Sequence, residues 1–281
     1  MADLPSDHVQ TLLAVVDAGT FDAAAAALHV TPSAVSQRIK ALEQRTGRVL
    51  LMRTKPVQLT PSGQVVVRFA RQLAQLSLDA QAELGMTIPG EPTRLSIAVN
   101  ADSLATWFLP ALVGLPDVCF ELHREDEDHT ARLLREGLVM AAVTSTPDPV
   151  QGCSVRALGS LRYLACASPS FPFSSFSTSP VIVFDRHDQL QDRFAGGASP
   201  FRHQMPSSTA YLDAVLHGLG WGLIPLPLAL PHFAAHTLVN LSPSRHMDVP
   251  LFWQQWKLDS PALAAAARSV IATAATSLVQ A

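Results

Sequence analysis

The segment Thr31-Pro32-Ser33-Ala34-Val35-Ser36-Gln37-Arg38-Ile39-Lys40-Ala41-Leu42-Glu43 decides how the N-terminal part folds. Thr31 is a helix cap and Pro32 suits the first turn, so the spacing predicts a helix to about Thr46, with Gly47 as its stop. Val35, Ile39 and Leu42 recur at spacings of four and three and form a core stripe. Ser33, Gln37 and Lys40, with Ser36 beside them, fall on another face and carry donors suited to phosphates and base edges. An ordinary solvated face is the plain alternative for that stripe taken alone.

The flanks change that weighting. Upstream, Ser6 is positioned to cap a helix through Asp17, with Val9, Leu12, Leu13 and Val16 at helical spacing. Thr20 caps an alanine-rich helix, Phe21 to Leu28, and His29-Val30 leaves only a short turn before Thr31. Two helices joined by a short turn, with a supporting helix before them, make a helix-turn-helix. Downstream, Arg48 to Arg53, Thr54-Lys55-Pro56 and Val57 to Leu59 read as a small hairpin. Arg53 and Lys55 stand near its tip, a wing suited to grip a phosphate backbone. Thr60 and Pro61 then open a fourth helix to about Leu84, before Gly85, Pro89, Gly90 and Pro92 break the chain. Val66, Phe69, Leu73, Leu76 and Ala80 form a heptad seam, read as a dimerisation helix, with packing against the chain's own domains as the alternative.

Charge agrees with this division. From His29 to Arg71 eight basic residues face one acid, Glu43, a window of +7 in a chain whose net charge is −3, so the remainder carries −10. Such asymmetry points to an anionic partner for the N-terminal part, nucleic acid first. With 281 residues, 48% hydrophobic and 15% charged, the chain has material for about two cored domains, and wholesale disorder is excluded. Cys119, Cys153 and Cys166 are scattered and lack CxxC spacing, so they read as small buried hydrophobes. No signal peptide is apparent, and the most apolar stretch, Leu216 to Leu230, is broken by Gly and Pro well short of the ~18 apolar residues of a membrane helix. The expected compartment is the cytoplasm.

The run Thr20 to Ala25, continued by Val30 to Glu43 and by Leu59-Thr60-Pro61-Ser62-Gly63, closely resembles the N-terminal signature of LysR-type transcriptional regulators. The resemblance implies a winged helix-turn-helix, a dimerising linker helix, and a C-terminal effector domain of two α/β halves like periplasmic binding proteins. The expected fold is therefore an N-terminal all-α winged helix-turn-helix (1–62), a linker helix and hinge (63–92), and an effector domain (93–281). Its halves are about 93–165 plus 250–281, and about 166–249. Thr31, Ser33, Ser36, Gln37, Arg38, Lys40, Arg53 and Lys55 are the candidate DNA-binding residues.

From Arg94 the texture becomes strands alternating with helices. Strands are expected at Arg94–Val99, Val118–His123 and Val139–Val143, with helices from Ser103 to about Val113 and from Asp128 to Glu136. Ligands of such sheets sit beyond the carboxyl ends of strands, here Asn100 to Ser103, Arg124 to Asp128, and Thr144-Ser145, which are expected to converge on one cleft. Asp102 or Ser103 at a helix start offers free N–H groups to a carboxylate. Glu125-Asp126-Glu127-Asp128 is costly to concentrate at a strand end unless a cation is received there, although a solvated turn with Asp128 as cap is the plain reading, and a divalent metal a competing one. Pro180 to Asp185 reads as a strand ending in an acid at the cleft, and Ser207-Ser208 as the start of a helix on the opposite wall. Gly218 to Pro225 and Pro250 to Leu258 read as further strands, Ser260-Pro261 as the start of a C-terminal helix, and Ser170 to Ser179 as a surface loop.

Ala98 to Pro110, Glu125-Asp126-Glu127 and Phe184-Asp185 resemble the ArgP/LysG subgroup of the same family, regulators of arginine and lysine transport. This implies lysine, arginine or histidine as effector and a basic amino acid exporter gene as target. The candidate effector residues are Asn100, Ala101, Asp102, Ser103, Thr106, Glu125, Asp126, Glu127, Thr144, Ser145, Asp185, Ser207 and Ser208. The expected partners are double-stranded promoter DNA, an amino acid effector, a second or further copies in a homodimer or homotetramer, and RNA polymerase, with no membrane, cofactor or metal. An enzyme is the rival class: ten histidines form no HExxH, and Gly218-Leu-Gly-Trp-Gly lacks an elbow serine. Short of an enzyme, the chain could also be a family member with a different small-molecule effector, or a sequence-tolerant architectural DNA-binding protein.

Overall fold

The computed structural model describes residues 4–86, 92–115, 118–125 and 127–280, with the side chains of 127–129 outside that description. The N-terminal domain, or head, opens with α1 (Ser6–Ala18), α2 (Phe21–Ala27) and α3 (Pro32–Thr46). Thr20 and Thr31 cap α2 and α3 by accepting from the Ala23 and Ala34 amides. Ser6 is no cap: it is the first helical residue of α1, after Pro5. His29, at φ 53°, makes the turn between α2 and α3. Val9, Leu12, Val35, Ile39 and Leu42 are fully buried together, so the expected stripe of α3 is core.

The wing is small: β1 (Leu51–Met52) pairs antiparallel with β2 (Gln58–Leu59). It leans on the α1–α2 turn, where the Val57 amide donates to the Gly19 carbonyl at 3.0 Å. Next comes α4 (Pro61–Glu83), capped by Thr60, which accepts from the Gly63 amide. The expected seam divides along its length. Val66 joins the head's own core, whereas Phe69 and Leu76 are more than 40% exposed.

In the effector domain, β3 (Thr93–Val99), β4 (Val118–Arg124) and β5 (Ala141–Thr144) pair in parallel, with β3 in the middle. Between β3 and β4 the single helix expected to reach Val113 is interrupted. It ends as α5 (Ala101–Thr106), and a 3₁₀ turn, Leu109–Leu112, follows because Pro110 has no N–H for a helical bond. Between β4 and β5 lies α6 (Glu127–Arg135), in which Asp128 is already the second residue rather than the cap. Then β6 (Cys153–Ala167) runs through both halves.

The second half holds β7 (Val181–Val183), α7 (Leu190–Ala195), β8 (Arg202–Gln204), α8 (Ser208–Leu216), β9 (Gly222–Pro225), α9 (Leu226–Ala234) and β10 (Val239–Asn240). The chain returns through β11 (Met247–Trp256) and ends in α10 (Pro261–Ser277). The sheet order is β10-β6-β11-β5-β3-β4, with β9 also on β6. Both β6 and β11 are continuous where borders between the halves were expected, after 165 and before 250, so the halves share one sheet. Ser260 stands at the N-cap of α10, but its hydroxyl is buried and caps nothing. The stretch Ser170 to Ser179 is more than a surface loop, since Phe176 packs edge-on against Trp221 and Phe194. Of the cysteines, Cys153 and Cys166 are buried and Cys119 is exposed.

Candidate functional site

Two sites stand at opposite ends of the chain. On α3, Ser33, Gln37 and Lys40 are exposed on one face, with Ser36 half-buried beside them. Thr31 and Arg38 are committed elsewhere. Thr31 caps α3, and Arg38 turns onto α1, donating to Thr11 Oγ1 at 3.3 Å and facing Asp7 at 3.8 Å. Arg53 and Lys55 are exposed on the wing. The Arg53 guanidinium lies 5.4 Å from the centre of the Phe21 ring at the start of α2, which fixes its height beside the reading helix.

The second site is a cleft between the halves of the effector domain. A cavity of about 460 Å³ is lined from the first half by Asn100, Ala101, Asp102 and Ser145, and from the second by Phe184, Asp185, His187, Asp188 and Arg193. Met247 to Pro250 of β11 form a further wall. A smaller recess of about 40 Å³ continues from it past Tyr163, Ser208 and Tyr211, and shares Asp102, Phe184, Asp188 and Leu190.

Asp102 is the centre of this arrangement. Its Oδ2 accepts from the Tyr163 hydroxyl at 2.9 Å and its Oδ1 from the Ser208 hydroxyl at 3.1 Å, so it joins α5, β6 and the first turn of α8. Burial raises its pKa; the two hydroxyl hydrogen bonds oppose that rise, and the negative charge of Asp188 adds to it. No cation among the described residues pairs with it. The other acids of the cleft are already held. Asp188 accepts from the Phe184 and Leu190 amides, and Asp185 from the His187 and Asp188 amides. Asp248 is gripped by both forks of Arg162 at 2.7–2.8 Å, which lowers its pKa. Tyr211 forms the floor, donating to the Ile182 carbonyl and accepting from the Leu223 amide and Gln191. Its phenol is pushed well above the usual range, chiefly by burial.

The expected residues therefore divide. Asn100, Ala101, Asp102, Ser145 and Asp185 line the large cavity, and Ser208 the recess. Ser103 is the buried residue of α5 itself, and the Thr106 hydroxyl bonds back to the Asp102 carbonyl. Thr144 is buried in a network with Gln254 and Thr146, and Ser207 is spent capping α8. Glu125 faces Arg132 of α6 at 3.9 Å rather than the cavity; Asp126 and the Glu127 and Asp128 side chains lie outside the described residues. Tyr163, Asp188, Arg193, Tyr211 and Asp248 line the site without having been singled out. Tyr163 and Asp248 sit on the long crossover strands, and no local motif marks them. Among the described residues no group of three His, Cys, Asp or Glu is placed to hold a metal ion, and no helix is long and apolar enough to cross a membrane.

A winged helix-turn-helix joined by a long helix to a two-halved α/β cleft defines the ligand-controlled DNA-binding regulators. The chain belongs to the LysR family: residues 6–64 match the bacterial regulatory helix-turn-helix protein, lysR family, and residues 90–275 match the LysR substrate binding domain. It is similar to a crystal structure of ArgP from Mycobacterium tuberculosis, at 43% identity and a TM-score of 0.93 over 99% of this chain and all of that one. It is similar too to full-length LysG from Corynebacterium glutamicum with bound effector Arg, at 38% identity and a TM-score of 0.84 over 98% of this chain and 99% of that one. A curated relative, the lysine export transcriptional regulatory protein LysG of Corynebacterium efficiens, is 41% identical over 96% of this chain and 98% of its own length.

Proposed function

We propose that this protein is a transcriptional regulator whose DNA binding is controlled by a basic amino acid, lysine, arginine or histidine, and that it governs a basic amino acid exporter gene. The observation that carries the ligand class is Asp102: a buried carboxylate with no cationic partner among the described residues, set where both halves of the cleft meet. A desolvated charge of this kind gains most from an incoming cation. Asp102 and Asp188 receive the ligand's cationic end, the negative charge of the run Glu125 to Glu127 adds to its attraction, and Arg193 faces its carboxylate. The bound Arg of the C. glutamicum protein and the lysine-export role in the C. efficiens name support the same class.

Ser33, Ser36, Gln37 and Lys40 enter the major groove of promoter DNA while Arg53 and Lys55 hold the flanking backbone. The bare Phe69 and Leu76 face of α4 is covered by a second copy, giving a homodimer or a homotetramer built from it. The protein works in the cytoplasm beside RNA polymerase, and divides into a head (1–62), a linker (63–92) and an effector domain (93–281). The test is thermal-shift screening against the twenty amino acids, repeated with Asp102→Asn. Lysine, arginine or histidine should raise the melting temperature of the parent and not of the variant. A shift by neutral amino acids alone would defeat the reading.

A further inference from the structure

Arg71 on α4 stands between the two large parts of the chain, and its guanidinium divides its donors between them. Nη2 donates to Asp17 Oδ1 at 2.5 Å, at the end of α1 in the reading head. Nη1 donates to the Gly137 carbonyl at 2.8 Å, two residues past the end of α6 in the effector domain. A planar fork holds two acceptors at a set separation, which a single ammonium does not. Both acceptors suit a cation: one is a carboxylate, and the other belongs to a helix C-terminus, where carbonyls lack intrahelical donors and the dipole is negative.

A second observation is independent of that side chain. Gly137 has φ 72°, and a Cβ placed there would stand 2.8 Å from Cα of Arg68. The end of α6 is therefore seated directly on the backbone of α4, and Arg68 Nη1 adds a donor to the Arg135 carbonyl at 3.4 Å. The opposite end of α6 begins at Glu127; Arg132 within it faces Glu125 at 3.9 Å, and the Glu125 amide donates to the Val99 carbonyl, one residue before Asn100 of the cavity lining. One short helix thus links the strand ends beside the cleft to the guanidinium that also holds the head.

We infer that Arg71 is the positioning residue through which the effector domain sets the seat of the DNA-reading head, with α6 as the rigid element between them. A cation drawing on Glu125 leaves Arg132 to its closer partner Glu136, at 3.0 Å, shifts α6, and the fork carries that shift to Asp17 and α1. This ligand step rests on the proposed reading of the acidic run; the seating itself does not.

The experiment uses the full chain as parent, Arg71→Ala, Asp17→Ala and Gly137→Ala, with two measurements. The first is hydrogen–deuterium exchange without ligand. Arg71→Ala should speed exchange about tenfold both at the end of α1 and at residues 132–139. Asp17→Ala should loosen only the α1 end. Gly137→Ala, which keeps the guanidinium but displaces the backbone, should reproduce the double loosening with an unchanged far-ultraviolet spectrum. Unchanged exchange in either segment of Arg71→Ala overturns the assignment. The second measurement is DNA affinity with and without L-lysine or L-arginine. In Arg71→Ala the ratio of the two affinities should fall to within about twofold of one, while calorimetric affinity for the amino acid stays within about threefold of the parent. A ratio kept at the parent's value also overturns it. If the parent binds neither amino acid and Arg71→Ala still loosens both segments, the ligand reading fails and the positioning role stands.

Discussion

The reading head and the effector cleft are built by opposite strategies. In the head and its linker, three of the four helix starts are set by a residue three positions from its partner: Thr20 to Ala23, Thr31 to Ala34, Thr60 to Gly63. In the cleft, Asp102 meets Tyr163 and Ser208, residues 61 and 106 positions away. Local chemistry makes a rigid, pre-formed surface for a ligand of fixed shape, the DNA groove. Distant contacts make a surface that exists only when the two halves meet, which is what a sensor of a small molecule requires.

The largest effect tests whether the two regions melt separately. Trp221→Ala removes a fully buried side chain packed edge-on against Phe176 and should cost the effector domain about 3–5 kcal/mol. Calorimetry should show its transition lowered and that of the head unmoved; a single shared shift would dissolve the contrast. Next comes Asp102→Asn, which should weaken lysine or arginine binding by at least about tenfold, ~1.4 kcal/mol, with DNA affinity in the absence of ligand unchanged. The sign of its pH dependence is fixed by the raised pKa. The contribution of Asp102 to stability is fully present below the ordinary carboxylate range and is lost as pH rises through the raised value. Affinity for a cationic ligand runs the other way and falls as pH drops through it. Hence Asp102→Asn should also raise the melting temperature of the ligand-free protein at neutral pH; a lower one would contradict the desolvation argument.

A smaller effect belongs to the head. Thr31→Ala should cost about 1 kcal/mol by leaving the Ala34 amide uncapped, read by chemical denaturation. Smallest is Arg53→Ala, expected to weaken DNA binding across sequences and to reduce the salt slope by about 0.9. An unchanged slope would remove the wing from the DNA contact and leave α3 to act alone.

The same contrast explains what could be read from the chain order. Caps, turns and the stripe Val35, Ile39, Leu42 obey rules that span four residues, so the architecture of the head was legible almost to the residue. In the cleft, the strand ends located Asn100 to Asp102, Ser145 and Asp185, because ligands of such sheets gather there. The role of Asp102 was legible only in part. A helix-start residue suggested amides for a carboxylate, whereas the side chain itself turns inward to two hydroxyls. Tyr163 and Asp248 were illegible because they owe their place to β6 and β11 running through both halves, a pairing of strands some 85 residues apart in which Arg162 stands opposite Asp248. Val66 of the α4 seam escaped for a related reason: its apolar partners lie in the chain's own head, the alternative to a dimer seam.

The central place of β11 in the sheet also sets a timetable. During synthesis the head and α4 are complete by residue 86, but β5 and β6 both lack the strand that lies between them until Trp256 has emerged. That is about 170 residues later, on the order of 10–30 s at ribosomal speed. For that interval the nascent polypeptide carries a finished groove-reading surface and no sensor to govern it. The order of translation alone therefore lets the newborn chain meet DNA before it can answer to its effector.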